Sequence, residues 1–112
     1  MPYSISLAQR VRFQLAQWRN IDERKMFGGV CFMMNGNLLV GIWHDSLVAR
    51  LGPEGAAEAL RHSCVREFDV TGKPMKGWVL VDPDGLESDE QLGRWIERAS
   101  DFVVTLPRKE RP

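Results

Sequence analysis

The residues whose types could do chemistry are few, and their spacing argues against most of it. His44-Asp45-Ser46 holds the three residue types of a hydrolytic triad. Triad members converge from separate elements, and three consecutive residues in a tight turn cannot make the Ser–His and His–Asp hydrogen bonds together. The tripeptide therefore reads as a turn. Cys31 with His44 or His62 is the other nucleophile–base combination available. Cys31 lies in the apolar run GGVCFMM, where burial raises a thiol's pKa and leaves it inert. Two histidines and two cysteines without close spacing give no metal signature. Cys31 and Cys64 are too few for a disulfide framework, so both are expected as reduced structural thiols.

Glycines raise a second possibility, a phosphate cradle. The stretch KMFGGVCFMMNGNLLVGIW, Lys25 to Trp43, holds a tandem pair at Gly28-Gly29 and single glycines at Gly36 and Gly41. It is not G-x-G-x-x-G, and the residues after the glycine pair read as strand, so no helix N-terminus is offered to an anion. Gly72-Lys73 precedes Pro74, where a phosphate loop has Ser or Thr, and no helix begins there. The glycines read as bends and turns instead. No catalytic residue, cofactor or metal site is expected.

Charge bounds the partners. Fifteen basic and fifteen acidic residues cancel, which argues against a dedicated nucleic-acid binder, since phosphate contacts need a positive surface. The distribution is uneven. Residues 1–21 carry Arg10, Arg12 and Arg19 with no acid, whereas residues 82–101 carry seven acids against Arg94 and Arg98. The preferred reading is complementary solvated helix faces; the alternative is nucleic-acid contact through Arg10, Arg12 and Arg19. Trp18, Trp43, Trp78 and Trp95 read as core or interface anchors, because no basic residues interleave with them regularly. No apolar run approaches the ~20 residues that cross a bilayer, and no secretory leader is visible, so a cytoplasmic protein without a membrane partner is expected.

The elements are set out by periodicity. Leu7, Val11, Leu15 and Trp18 mark an amphipathic helix, capped by Ser4 or Ser6 and ending near Asn20. Asn35-Gly36 between two apolar runs signals a hairpin with strands at 29–34 and 38–43, and residues 47–51 add a third strand to the meander. Gly52-Pro53 opens a short helix through Glu54–Arg61. Strands are expected at 67–70 and at 77–81, the latter ending at Asp82-Pro83. Ser88-x-x-Gln91 is a capping box, and Leu92, Trp95, Ile96, Ala99, Val103 and Leu106 form a helical stripe up to Pro107. The order α-β-β-β-α-β-β-α predicts a two-layer α+β domain on an antiparallel sheet over residues 1–107, with 108–112 a polar tail.

The meander has a peculiarity. A sheet with one wet face alternates apolar and polar residues. Here Val30 through Met34 are all apolar, and so are Leu38, Leu39, Val40, Ile42 and Trp43. Both faces read as dry. Helices can cover one; the other invites a second subunit or a bound partner, with Phe32, Met34, Leu39 and Trp43 as candidate interface residues.

Several segments in order, KMFGGVCFMMNGNLLVGIW, DSLVARLGP, VREFDVTGKPMKGWVLVDPDGL and LGRWIERASDFVVTLP, resemble the N-terminal domain of the TfoX/Sxy proteins from about Val11 to Pro107. The resemblance implies a secretion-chaperone-like two-layer α+β fold. It also implies a role in competence regulation, since members named for function act as co-activators with the cyclic-AMP receptor protein at competence promoters. Those regulators carry a further C-terminal domain, which this sequence does not match. Phe27, Gly28, Gly29, Met75, Lys76, Gly77 and Trp78 match the family motif and are explained as turn or packing positions; no catalytic residue is implied. The expectation is a non-enzymatic regulatory module, a homodimer or partner of another protein in transcription regulation. The alternatives are direct DNA binding through the basic first helix and a cysteine-dependent enzyme built on Cys31.

Overall fold

The computed structural model describes residues 3–26, 28–70 and 72–109. Helix α1 spans Ile5–Gln14, with the Ser4 hydroxyl accepting from the Leu7 N–H as its N-cap. Strands β1 (Ile21–Met26), β2 (Gly29–Met34), β3 (Asn37–Trp43) and β4 (Ser46–Arg50) come next. Helix α2 (Gly52–Ala59), strands β5 (Val65–Glu67) and β6 (Trp78–Val81), a 3₁₀ turn at Pro83–Gly85 and helix α3 (Asp89–Val103) complete the chain. The expected order holds with one strand added, β1. Its sequence, IDERKM, lacks the apolar alternation that marks a strand, so periodicity does not reveal it.

The six strands form one antiparallel sheet in the order β1-β2-β3-β4-β6-β5. Asn35 and Gly36 both take positive φ, +54° and +81°, as a two-residue type I′ turn requires. Between β2 and β3 the register shifts at Phe32/Met33: Phe32 faces Val40 while Met33 faces Leu38. Leu39 is the extra residue of this bulge, so it joins Val40 on the helix side instead of alternating away.

All three helices pack on one side of the sheet. Leu7, Val11 and Leu15 of the first helical segment and Leu92, Ile96, Ala99 and Val103 of α3 close over Val30, Phe32, Ile42, Leu47 and Val81. The capping box forms as the sequence implies, Ser88 Oγ accepting from Gln91 N at 3.0 Å and Gln91 Oε1 from Ser88 N at 3.0 Å. Trp95, nearly buried, donates its indole N–H to the Gly85 carbonyl at 3.2 Å. Among the described residues no helix is long and apolar enough to cross a membrane. The first residues after α3 are tied down: Lys109 N–H donates to the Asn35 carbonyl at 2.8 Å, and Asn37 Nδ2 to Pro107 O at 3.0 Å. Residues 110–112 of the expected tail lie outside the described residues.

Candidate interaction surface

The second dry face exists, and the chain covers it with its own segment. Cys31, Met33, Leu38, Val48 and Leu80 form a cluster on the side away from the helices, and each is at most 8% exposed. The cover is the connection between β5 and β6. Phe68 is fully buried in the cluster, and Val70, Met75 and Trp78 pack against it. A strand is expected at 67–70, but pairing stops at Glu67 because Phe68 leaves the sheet edge to fill this face. Burial of one aromatic and several aliphatic side chains outweighs two or three ladder bonds at an edge.

Backbone geometry holds this flap down. Gly72 N–H donates to Asp69 O at 2.9 Å, Met75 N–H to Phe68 O at 2.9 Å and Trp78 N–H to Met75 O at 3.1 Å. The Gly77 carbonyl accepts from Leu51 N at 2.8 Å and Gly52 N at 3.1 Å, which pins the flap's exit to the start of α2. A Cβ on Gly77 would sit 3.3 Å from the Gly52 Cα, so the motif glycine serves close backbone packing. Phe68 stacks on Trp78 with centroids 5.5 Å apart, and Arg50 lies 5.3 Å over the Trp78 ring. Burial pulls the Arg50 guanidinium below its ordinary pKa. Lys73, Pro74 and Lys76 stay exposed on the flap's outer side. Phe27, the other aromatic of the family motif, lies outside the described residues.

The four residues expected at an interface divide between the two sides of the sheet. Phe32, Met34 and Leu39 are buried under the helices, at 2%, 8% and 0% exposure, and so present no surface to a partner. Trp43 is half-buried on the flap side, with His44 edge-on to it at 4.1 Å. Period-two alternation and the Leu39 bulge together sort them this way.

Two of the residues with reactive chemistry, Cys31 and Ser46, are engaged in structure. Cys31 is 3% exposed, and a Cβ on Gly41 would meet its Sγ at 3.0 Å; burial pushes the thiol up to about 11. Ser46 is buried, and its hydroxyl donates to Asp82 Oδ1 at 3.1 Å rather than meeting His44. Arg66 grips the same carboxylate, Nη2 to Oδ1 at 2.8 Å and Nε to both oxygens at 3.1 Å. That hydrogen bonding holds the Asp82 carboxyl below its usual range and raises Arg66. This knot joining β4, β5 and the end of β6 is not legible in the sequence, where Arg66 and Asp82 stand sixteen positions apart. His62 lines a cleft of about 220 Å³ with Cys64, not Cys31, beside Trp95, Arg94 and Arg98.

Two of the three arginines proposed for nucleic acid are paired within the protein. Arg12 forms a bidentate pair with Glu23 of β1, at 2.9 and 2.8 Å, which raises its own pKa and lowers that of Glu23. Arg10 meets Asp89 at the start of α3 at 3.4 Å. Arg19 is exposed beyond the end of α1. The basic first segment thus meets acids of β1 and α3, one of them from the acidic last segment.

A family model, that of the TfoX N-terminal domain, matches residues 13–103. No curated protein and no solved structure matches the chain.

Proposed function

Since the chain belongs to the TfoX N-terminal domain family, we propose that it is a cytoplasmic regulatory interaction module, working as a homodimer in the control of competence genes and not as an enzyme. The observation that carries this reading is where the reactive residues lie. Cys31 is buried, which raises its thiol's pKa, and Ser46 is bound to Asp82. Neither offers a nucleophile to solvent. Competence regulation is the association of the family, and it supports the regulatory half of the reading.

Sedimentation at micromolar concentration tests the dimer, and a strict monomer removes it. For regulation, the chain is expressed in a naturally competent host lacking its own family member. Transcription from a competence promoter should rise several-fold, and an unchanged promoter overturns the regulatory role. Direct DNA binding finds less support, because Arg10 and Arg12 already face carboxylates. It would show as a retarded band that weakens steeply with salt.

A further inference from the structure

One long edge of the sheet is open. Among the described residues no strand pairs with the outer side of β1, which is six residues long. Asn35 N–H donates to the Asn20 carbonyl, so the hydrogen-bonded rows of the β1–β2 ladder fall on every second residue from there, at Asp22↔Met33 and Arg24↔Cys31. The backbone groups of Ile21, Glu23 and Lys25 therefore point away from β2, along the open edge. Side chains alternate as well. Asp22 and Arg24 share the flap side with Met33 and Cys31, while Glu23 lies on the helix side, where Arg12 reaches it.

We infer that β1 is the dimer seam, pairing antiparallel with β1 of a second copy about a two-fold axis through Glu23 to give one continuous twelve-stranded sheet. The inference rests on the homodimer reading above and names its surface. An antiparallel pair related by a two-fold keeps every side chain on its own face only when the axis passes through a residue. Three centres are available. Centring on Arg24 pairs Glu23 with Lys25 twice, but it sets Arg24 against itself in a closely spaced pair, leaves Asp22 against Met26 and draws on a Glu23 already held by Arg12. Centring on Asp22 sets Asp22 against itself and Arg24 against Asn20. Centring on Glu23 places Asp22 opposite Arg24 twice, in the closely spaced pairs where side chains approach best. The outward backbone groups then meet in register, Ile21 with Lys25, Glu23 with Glu23 and Lys25 with Ile21. Glu23 opposing itself would repel, but each copy's Glu23 is already clamped by its own Arg12 at 2.8 and 2.9 Å. Charged residues on an edge ordinarily discourage indiscriminate pairing. The order Asp22, Glu23, Arg24 favours the register centred on Glu23, because its neighbours set Arg24 or Asp22 against itself.

The test uses the full chain with Cys64→Ser, leaving buried Cys31 as the remaining native thiol. Glu23→Cys in this background should cross-link to a covalent dimer under mild copper–phenanthroline oxidation. The two copies of residue 23 form a hydrogen-bonded pair with Cα atoms about 5.5 Å apart, within disulfide range. Ile21→Cys should not cross-link, its two copies being offset by about 14 Å along the seam. In the wild-type background Arg24→Glu should weaken the dimer by about tenfold, and adding Asp22→Arg should restore it. Circular dichroism checks that each variant is folded. A wild-type monomer overturns the seam together with the homodimer. A wild-type dimer that ignores Arg24→Glu, or that cross-links equally through residues 21 and 23, overturns the seam alone.

Discussion

Two adjacent glycines show how far single positions differ within one motif. Gly28 has φ +76° with open space where a Cβ would be, so its requirement is conformational. At Gly29 a Cβ would fall on the Ile42 carbonyl of β3, so its requirement is steric and involves backbone that cannot swing aside. Gly28→Ala should cost roughly 1 kcal/mol, and Gly29→Ala about 3 kcal/mol or more. Urea denaturation of the two variants checks the order, and equal losses would contradict it. Cys31 carries the second residue-scale expectation. Native protein should react with a thiol reagent at Cys64 and not at Cys31. Because burial raises the folded thiol from 9.0 to about 11, its contribution is full below pH 9 and is lost as pH rises toward 11. The loss amounts to roughly 2–3 kcal/mol over those two units, visible as a falling denaturation midpoint in alkali. Cys31's burial is legible in its apolar neighbours; the close approach of Gly41 to its sulfur belongs to the β2–β3 register.

At the scale of elements, local pattern is a good guide where both partners of an interaction are close in sequence. The Asn35-Gly36 turn, the Ser88 capping box and the α3 stripe all depend on residues within a few positions, and all are found as read. β1 escapes notice because an edge strand beside water keeps its charges and shows no alternation. Phe68 and Val70 escape for a different reason. They read as strand, yet their burial lies across the sheet. The Arg66–Asp82 knot is also non-local, and it gives acid sensitivity. Arg66 depresses the Asp82 pKa, so the stabilisation is present above the ordinary value of 3.8 and is lost as pH falls below it. Arg66 is half-exposed, so screening keeps the pair modest, and Asp82→Asn should cost about 1 kcal/mol at neutral pH. The variant should also show a flatter acid limb in a stability–pH profile; an unchanged limb would assign the acid response to other carboxylates.

For the molecule as a whole, the flap converts a sheet with two dry faces into a protein with two cores. Phe68 is the keystone, fully buried and stacked on Trp78. Phe68→Ala should destabilise by about 3–5 kcal/mol. It should also make Cys31 reactive to thiol reagents and raise binding of a hydrophobic dye, since the second face loses its cover. Destabilisation without new Cys31 reactivity would mean that Val70, Met75 and Trp78 close the face unaided. Sequence by itself determined the α+β class, the hairpin, the presence of both long helices though not their ends (Gln14 against the expected Asn20, Val103 against the expected Pro107), the family resemblance and the presence of apolar residues on both sides of the meander. These rest on periods of 2 and 3.6 and on turn residues, whose causes lie within one or two turns of chain. Tertiary structure alone decided that the second face is closed by the chain's own Phe68–Trp78 segment, that Phe32, Met34 and Leu39 lie inside, and that Arg10 and Arg12 meet Asp89 and Glu23. A hydrophobicity pattern says that a surface must be covered; only the path of the chain, set by pairings between residues far apart in sequence, says by what.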